Sequence, residues 1–239
     1  MSKLQKLKEE VLKANQSLVS LGLVTLTWGN VSGIDREKGL VVIKPSGVDY
    51  SELRAADMVV VDLNGNKVEG AYSPSSDTAT HLHIYKNFDK IGGVVHTHSK
   101  YATIFSQAGK VIQVYGTTHA DYFDGYVPVT RDMKEIEVKN DYELNTGKVI
   151  VETFSDIDPY LVPAVLVKNH APFCWGENAA KAIENALVLE EVAHMAIHTE
   201  MLCSNNLSTA MQAMPEYLQK KHFYRKHGTS AYYGQQKSS

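Results

Sequence analysis

Cysteine is scarce: Cys174 and Cys203 are the only two, and they form no metal or redox spacing. That excludes a disulfide framework or a cysteine-based zinc cluster, and predicts free thiols in a reducing compartment. Excess charge is also lacking. The 24 Lys and Arg residues set against 27 Asp and Glu leave a net charge of −3, without the strong positive balance of a dedicated nucleic-acid binder. No run approaches the roughly 18 apolar residues of a membrane span. The opening Lys3, Lys6, Lys8, Glu9 and Glu10 leave no apolar stretch for a signal peptide. These absences predict a soluble cytoplasmic protein with neither nucleic acid nor membrane as partner. No repeat, low-complexity segment or linker interrupts the chain, so one domain over residues 1–239 is expected. At 44% hydrophobic and 21% charged residues the composition is that of a globular protein.

Hydrophobic periodicity supplies the elements. Leu4, Leu7, Val11, Leu12 and Leu18 recur at helical spacing, with Gly22 as the stop. Strands are predicted at 24–31, 40–43, 58–63, 93–97, 111–114 and 162–167, with an Asn64-Gly65 turn after the third. Helices are predicted at 78–88, 100–108, 178–203 and 215–226, the third largely buried. Residues 130–146 are charged and read as exposed surface. The mixture predicts a sheet covered by helices.

The sharpest chemical signal is Val94-Val95-His96-Thr97-His98-Ser99, at the end of an apolar strand. Residues two apart on a strand face the same way, so His96 and His98 can present two imidazoles to one metal. His170, just beyond the apolar run Val165-Leu166-Val167, is the candidate third ligand. Three histidines with an open position suit a catalytic Zn²⁺, though other divalent ions accept imidazole. His194 and His198 also have metal spacing, four apart on a helix, but no His-Glu-x-x-His pattern accompanies them. They read as structural or interface residues, as do His81 and His83.

A second group of residues suits an anion. Trp28-Gly29-Asn30, Lys44-Pro45-Ser46-Gly47 and Ser75-Ser76-Asp77-Thr78 are polar turns flanking regular elements. The last opens a helix, where free amides favour a phosphate; Gly29 and Gly47 let backbone approach a ligand. Lys44 is the nearby cation. Asp77 reads either as a helix cap or as a carboxylate beside the metal. Asp121, in the polar run Thr117 to Tyr122, is a candidate acid or base. Tyr232 and Tyr233 sit on a tail with little else to pack.

Together, Leu26-Thr27-Trp28-Gly29-Asn30-Val31-Ser32, Lys44-Pro45-Ser46-Gly47-Val48, Ser75-Ser76-Asp77-Thr78, His96-Thr97-His98-Ser99, Gly116 to Tyr122 and Lys226-His227-Gly228 resemble the metal-dependent class II sugar-phosphate aldolase family. The resemblance runs from the first helix to Tyr233. The paired histidines and glycine turns are shared with the aldolases. The Thr117-Thr118-His119-Ala120-Asp121-Tyr122 run and the Tyr232-Tyr233-Gly234 ending look like the epimerase branch. Ala171 stands where relatives often have glycine. The resemblance implies an α/β fold, a single three-layer α/β/α domain with a mixed, mostly antiparallel central sheet. It implies a homotetramer with active sites at subunit interfaces. Zn²⁺, with Mn²⁺ or Co²⁺ as substitutes, would lie on His96, His98 and His170 with Asp77 adjacent. The substrate phosphate would lie at Gly29, Asn30, Ser46, Gly47, Ser75 and Ser76. Asp121 and Tyr233 would be the acid/base pair, reaching in from a neighbouring subunit. The implied reaction inverts C4 of a phosphorylated ketopentose in pentose catabolism, by breaking and remaking C3–C4. The alternative is an aldolase that releases its aldehyde. A non-catalytic module of the same fold would be expected to lose ligands, and all three histidines are present.

Overall fold

Ser2 caps the first helix, α1 (Lys3–Ser20), by accepting the Gln5 amide at 3.2 Å. Gly22, at φ +69°, turns the chain out of it. The computed structural model describes residues 2–204, 212–229 and 231–233. After α1 come β1 (Gly29–Asp35), β2 (Leu40–Ile43), β3 (Val59–Asp62) and β4 (Lys67–Glu69). Then follow α2 (Thr78–Asn87), β5 (Gly93–Thr97), α3 (Lys100–Ala108), and the short helices α4 (Thr117–Ala120) and α5 (Glu135–Lys139). The chain continues through α6 (Tyr142–Thr153), β6 (Ala164–Leu166), β7 (Pro172–Gly176), α7 (Ala179–Ser204) and α8 (Glu216–Lys226). Seven strands form one sheet in the order β4-β3-β2-β1-β5-β7-β6, and each neighbouring pair is antiparallel. Among the described residues no helix is long and apolar enough to cross a membrane.

Strand alternation decides what each face of the sheet meets. Gly33, Gly93 and Gly176 are register partners across β1, β5 and β7. All three face the α1 and α7 side. A Cβ on Gly93 would lie 2.5 Å from the Ala179 amide nitrogen, and one on Gly176 2.8 Å from that of Ala182. On Gly33 it would meet the Val11 side chain at 2.9 Å. The missing side chains let α7 lay its backbone directly on the sheet. The opposite face carries Ser32 and Trp175. Ser32 bonds His81 and Tyr85 of α2, and Phe88 and Phe154 pack on Trp175 with ring centroids 5.1 Å away. Helices therefore cover both faces, and Val31, Val95, Ile84 and Trp175 are all at most 1% exposed.

The structure corrects several sequence expectations. Residues 24–28 are turn, and the strand predicted at 24–31 begins at Gly29 and runs on to Asp35. Leu26 takes φ +51°, and Trp28 and Gly29 donate back to the carbonyls of Thr25 and Thr27, so apolar propensity there yields to a local turn. The strand predicted at 111–114 is only an isolated bridge, Ile112 to Val127. Residues 130–146 are not mere surface: they hold α5 and the start of α6, and Thr130 and Thr146 are buried. Strands β4 and β7 and the helices α4 to α6 were not legible; β7 is five residues bounded by Pro172 and Gly176. Helix α7 leaves the core at its end, where Met201 and Leu202 are 54% and 76% exposed. Gly234 of the tail lies outside the described residues.

Gly93→Ala should lower stability by about 2–3 kcal/mol through overpacking, on the order of 5–10 °C in Tm for a chain of this size. Gly116→Ala, with nothing within 4 Å of its added methyl, should stay near wild type. Thermal unfolding of both checks the glycine row; equal Tm values would contradict it.

Candidate active site

The register that aligns the glycines aligns another row on the opposite face: Asn30 of β1, His96 of β5 and Phe173 of β7. His96 is 2% exposed, and its ring stacks on Phe173 at 4.1 Å. Its Nδ1–H donates to the Pro172 carbonyl at 2.9 Å, which leaves the Nε2 lone pair free. His98 follows two residues later on the same face, just past the strand end, where it is exposed. His170 comes from the β6–β7 hairpin. Val167 N–H donates to the Ala171 carbonyl and His170 N–H to that of Val167. Asn169 takes the left-handed conformation, φ +60°, that asparagine tolerates, and its amide is anchored on the Ser106 carbonyl at 3.0 Å.

The three rings form a near-equal triangle, with centroids 5.0, 4.8 and 5.0 Å apart. One ligand atom from each lies within 4.8 Å of the others. Burial pushes His170 down to about 3, and His96 and His98 push the same way; burial also lowers His98. Neutral imidazoles are what a divalent cation requires. Beside them stands Asp77, whose Oδ2 accepts the Asn30 side-chain amide at 2.6 Å. Burial raises the Asp77 carboxyl, but His96, His81 and the Asn30 bond outweigh it and hold it below the usual range. A carboxylate and three imidazoles at one spot form a donor set that suits a metal ion.

The triad opens into a cleft of about 640 Å³. Asp77, His96, His98 and His170 line it, as do Gly29, Asn30, Lys44, Ser46, Gly47, Ser75 and Ser76. The polar turns are tied together: Ser46 N–H donates to the Ser73 carbonyl and Ser75 N–H to that of Lys44, both at 3.0 Å. Asp77, preceding α2, makes no side-chain cap, which leaves the carboxylate to the cleft. Lys44 is 2% exposed. Its Nζ donates to the Val48 carbonyl at 2.6 Å and sits 4.8 Å from the Tyr50 ring centre; burial lowers its pKa. It braces the 45–48 turn from behind while remaining the only Lys or Arg among the lining residues.

Asp121 and Tyr233 are not in this cleft. They lie together against α8. Asp121 accepts from Arg225 at 2.9 and 2.6 Å and from His222 at 3.1 Å, and Tyr233 lies over Arg225 and Lys226. Burial raises the Asp121 carboxyl, but Arg225, His222 and Lys226 prevail and keep it ionised. The rival pair is elsewhere: His194 stacks on Tyr101 at 3.9 Å, with His198 at 4.9 Å from it. Among the described residues, only the His96, His98 and His170 group brings three metal donors together. Two lining residues were missed, Tyr142 and Glu143. Tyr142 Oη lies 3.4 Å from His170 Nδ1. Their signal was hidden because residues 130–146 read as surface rather than as the start of α6.

Residues 9–197 match the family model described as Class II Aldolase and Adducin N-terminal domain. The chain is 55% identical over 232 residues to the L-ribulose-5-phosphate 4-epimerase UlaF of Salmonella paratyphi B, with 97% of this chain and all of the relative covered. The protein of the same name from Salmonella choleraesuis is equally similar. Among solved structures, an L-fuculose 1-phosphate aldolase superposes with a TM-score of 0.75 at 28% identity, covering 92% of this chain and 96% of that one. The sugar-phosphate aldolase from Thermotoga maritima shares the fold, with a TM-score of 0.64 at 20% identity over 84% of this chain and 97% of the other.

Burial drives His81 to about 3 and His119 to about 4, alongside His170. Histidines of the unfolded chain protonate near 6.5, so below that pH the unfolded state binds more protons than the folded one, and stability falls as pH falls. The metal-free protein should therefore lose stability from about pH 6.5 towards pH 4. Urea midpoints at several pH values test this; a flat profile would contradict it.

Proposed function

The chain belongs to the class II aldolase and adducin N-terminal domain family, and from that membership we propose that it is an L-ribulose-5-phosphate 4-epimerase, an isomerase that interconverts L-ribulose 5-phosphate and D-xylulose 5-phosphate. The observation that carries the reading is the 55% identity to the epimerase over nearly the whole chain, joined to a three-histidine, one-carboxylate cleft flanked by polar turns.

The chemistry explains why this cleft suits this substrate. The hydrogen on C4 is not acidic, so direct deprotonation there is unfavourable. The C3–C4 bond can break because the C2 carbonyl accepts the electrons. His96, His98 and His170, with Asp77, would hold Zn²⁺, which supplies Lewis-acid polarisation of the substrate oxygens. Gly47 and Ser76 offer amides that have no backbone partner among the described residues. These amides, the Ser46 and Ser75 hydroxyls and the charge of Lys44 bind the phosphate. The phosphate-bearing aldehyde is held there while its carbonyl turns, and bond formation on the other face gives the epimer. The C4 oxygen loses a proton on one face and regains one on the other. Asp121, kept ionised by its cations, has the charge to accept a proton, and the Tyr233 hydroxyl carries one to give. Both lie outside their own chain's cleft. This supports a homotetramer in which a neighbour supplies them.

A coupled assay should detect D-xylulose 5-phosphate before chelation and not after; accumulation of free glycolaldehyde phosphate would indicate an aldolase instead. His98→Asn should abolish metal binding and most activity, while His194→Ala and His198→Ala keep the metal. Metal analysis of the purified variants decides, and zinc lost from His194→Ala but retained in His98→Asn would overturn the assignment.

Asp121→Asn and Tyr233→Phe should each lower turnover by about 10²–10⁴-fold. Co-expressed His98→Asn and Tyr233→Phe chains should recover activity, because some sites draw both intact halves. With random equal mixing, about a quarter of sites are whole in a cyclic head-to-tail ring. Mixed tetramers, verified by mass, that show no more activity than either parent would rule out the shared site.

A further inference from the structure

Behind the cleft lies a buried polar relay that the reaction so far does not use. His81 is fully buried on α2, one turn after Asp77. Its Nδ1 lies 2.7 Å from Ser32 Oγ, which lies 2.9 Å from Tyr85 Oη. The direction of donation can be worked out. Ser32 Oγ is the one partner of the buried Tyr85 hydroxyl among the described residues, so the Tyr85 hydrogen goes to Ser32 Oγ and the Ser32 hydrogen goes to His81 Nδ1. The ring hydrogen of His81 is then on Nε2.

That Nε2 is buried and has no partner among the described residues. A buried donor left unpaired is costly, and native structures keep such groups few. Asp77 stands one turn earlier, at the start of α2, where its carbonyl accepts the His81 backbone N–H at 3.1 Å. On the other side of Asp77, Asn30 donates Nδ2 to the carboxylate, and its own Oδ1 is buried and unpartnered. Asp77 thus has one amide already engaged, and one turn along α2 from it a buried imidazole N–H is without a partner among the described residues.

We infer that His81 is a positioning residue whose Nε2–H, set by the Tyr85–Ser32 relay, holds the Asp77 carboxylate against the histidine triad when a divalent cation is bound. The inference rests on the metal reading of the cleft given under Proposed function. It concerns His81, Ser32 and Tyr85, none of which lines the cleft.

The test is Zn²⁺ affinity, measured by competition with a chromophoric chelator, with apoprotein melting as the folding control. His81→Asn keeps an acceptor near the Nδ1 position and loses the Nε2 donor. It should bind Zn²⁺ about 10–100-fold more weakly, the usual loss when a ligand's supporting partner is removed. His81→Gln carries an amide donor to the Nε2 position and should return most of that affinity. Wild-type affinity in His81→Asn would overturn the inference, and so would equal losses in Asn and Gln, which mark a packing role. Should either His81 variant fail to fold, Tyr85→Phe is the alternative: it breaks the relay and keeps the ring, so it should weaken Zn²⁺ binding, and unchanged affinity would overturn the inference. A wild-type chain with no Zn²⁺ affinity would remove the proposed function together with this inference, whereas tight wild-type binding matched by His81→Asn would remove this inference alone.

Discussion

The antiparallel register of β1, β5 and β7 is the constraint on which the rest of the molecule depends. It sets Asn30, His96 and Phe173 in one row on the cleft side, and Gly33, Gly93 and Gly176 in another on the helix side. A one-residue slip would exchange the two faces, turning His96 into the α7 contact and a glycine into the cleft. The glycine row pins the register, because α7 has room to sit on the sheet only where side chains are missing. The site is therefore built on a rigid strand platform.

From that platform the electrostatics follow. Strand β5 delivers His96 buried and His98 at the rim, and the adjoining hairpin adds His170. Burial, with His96 and His98 pushing the same way, lowers His170 to about 3. Beside them stands Asp77, whose carboxyl lies below the usual range despite its burial and accepts the Asn30 amide. The polar turns on the other side of the cleft are built differently. They are bonded to each other, and Lys44 lies behind them, bonded to carbonyls. A net charge of −3 is no obstacle to an anionic substrate when amides and one buried lysine provide the local positive potential.

Asp121 and Tyr233 belong to a separate unit formed by α4 and α8. Arg225 and Lys226 join the two residues, the first through a bidentate pair and both through cation–π contacts. This cluster and the histidine cleft are thus assembled in separate places. Tyr232 and Tyr233 are 64% and 60% exposed.

The same-face spacing of His96 and His98 and the polar turns at 29–30, 44–47 and 75–78 marked candidates, the family resemblance assigned them to metal and phosphate, and all of them line one cleft. They were legible because each lies within a short local pattern whose period or turn chemistry is set by its neighbours. Strands 40–43 and 93–97 and helix 100–108 were legible to the residue for the same reason. What the sequence could not carry depends on contacts between distant segments. Strand β7, bounded by Pro172 and Gly176, exists because β5 and β6 pair with it, and α6 because it packs on α2. The turn at 24–28 overrides apolar propensity where the chain enters the cleft. The Ser32 hydroxyl that meets His81 across 49 residues and Tyr85 across 53, and the Arg225 guanidinium that meets Asp121 across 104, are matters of tertiary structure alone. A side chain's role there is set by which donors and charges the fold brings within about 3 Å, and no local period encodes that distance.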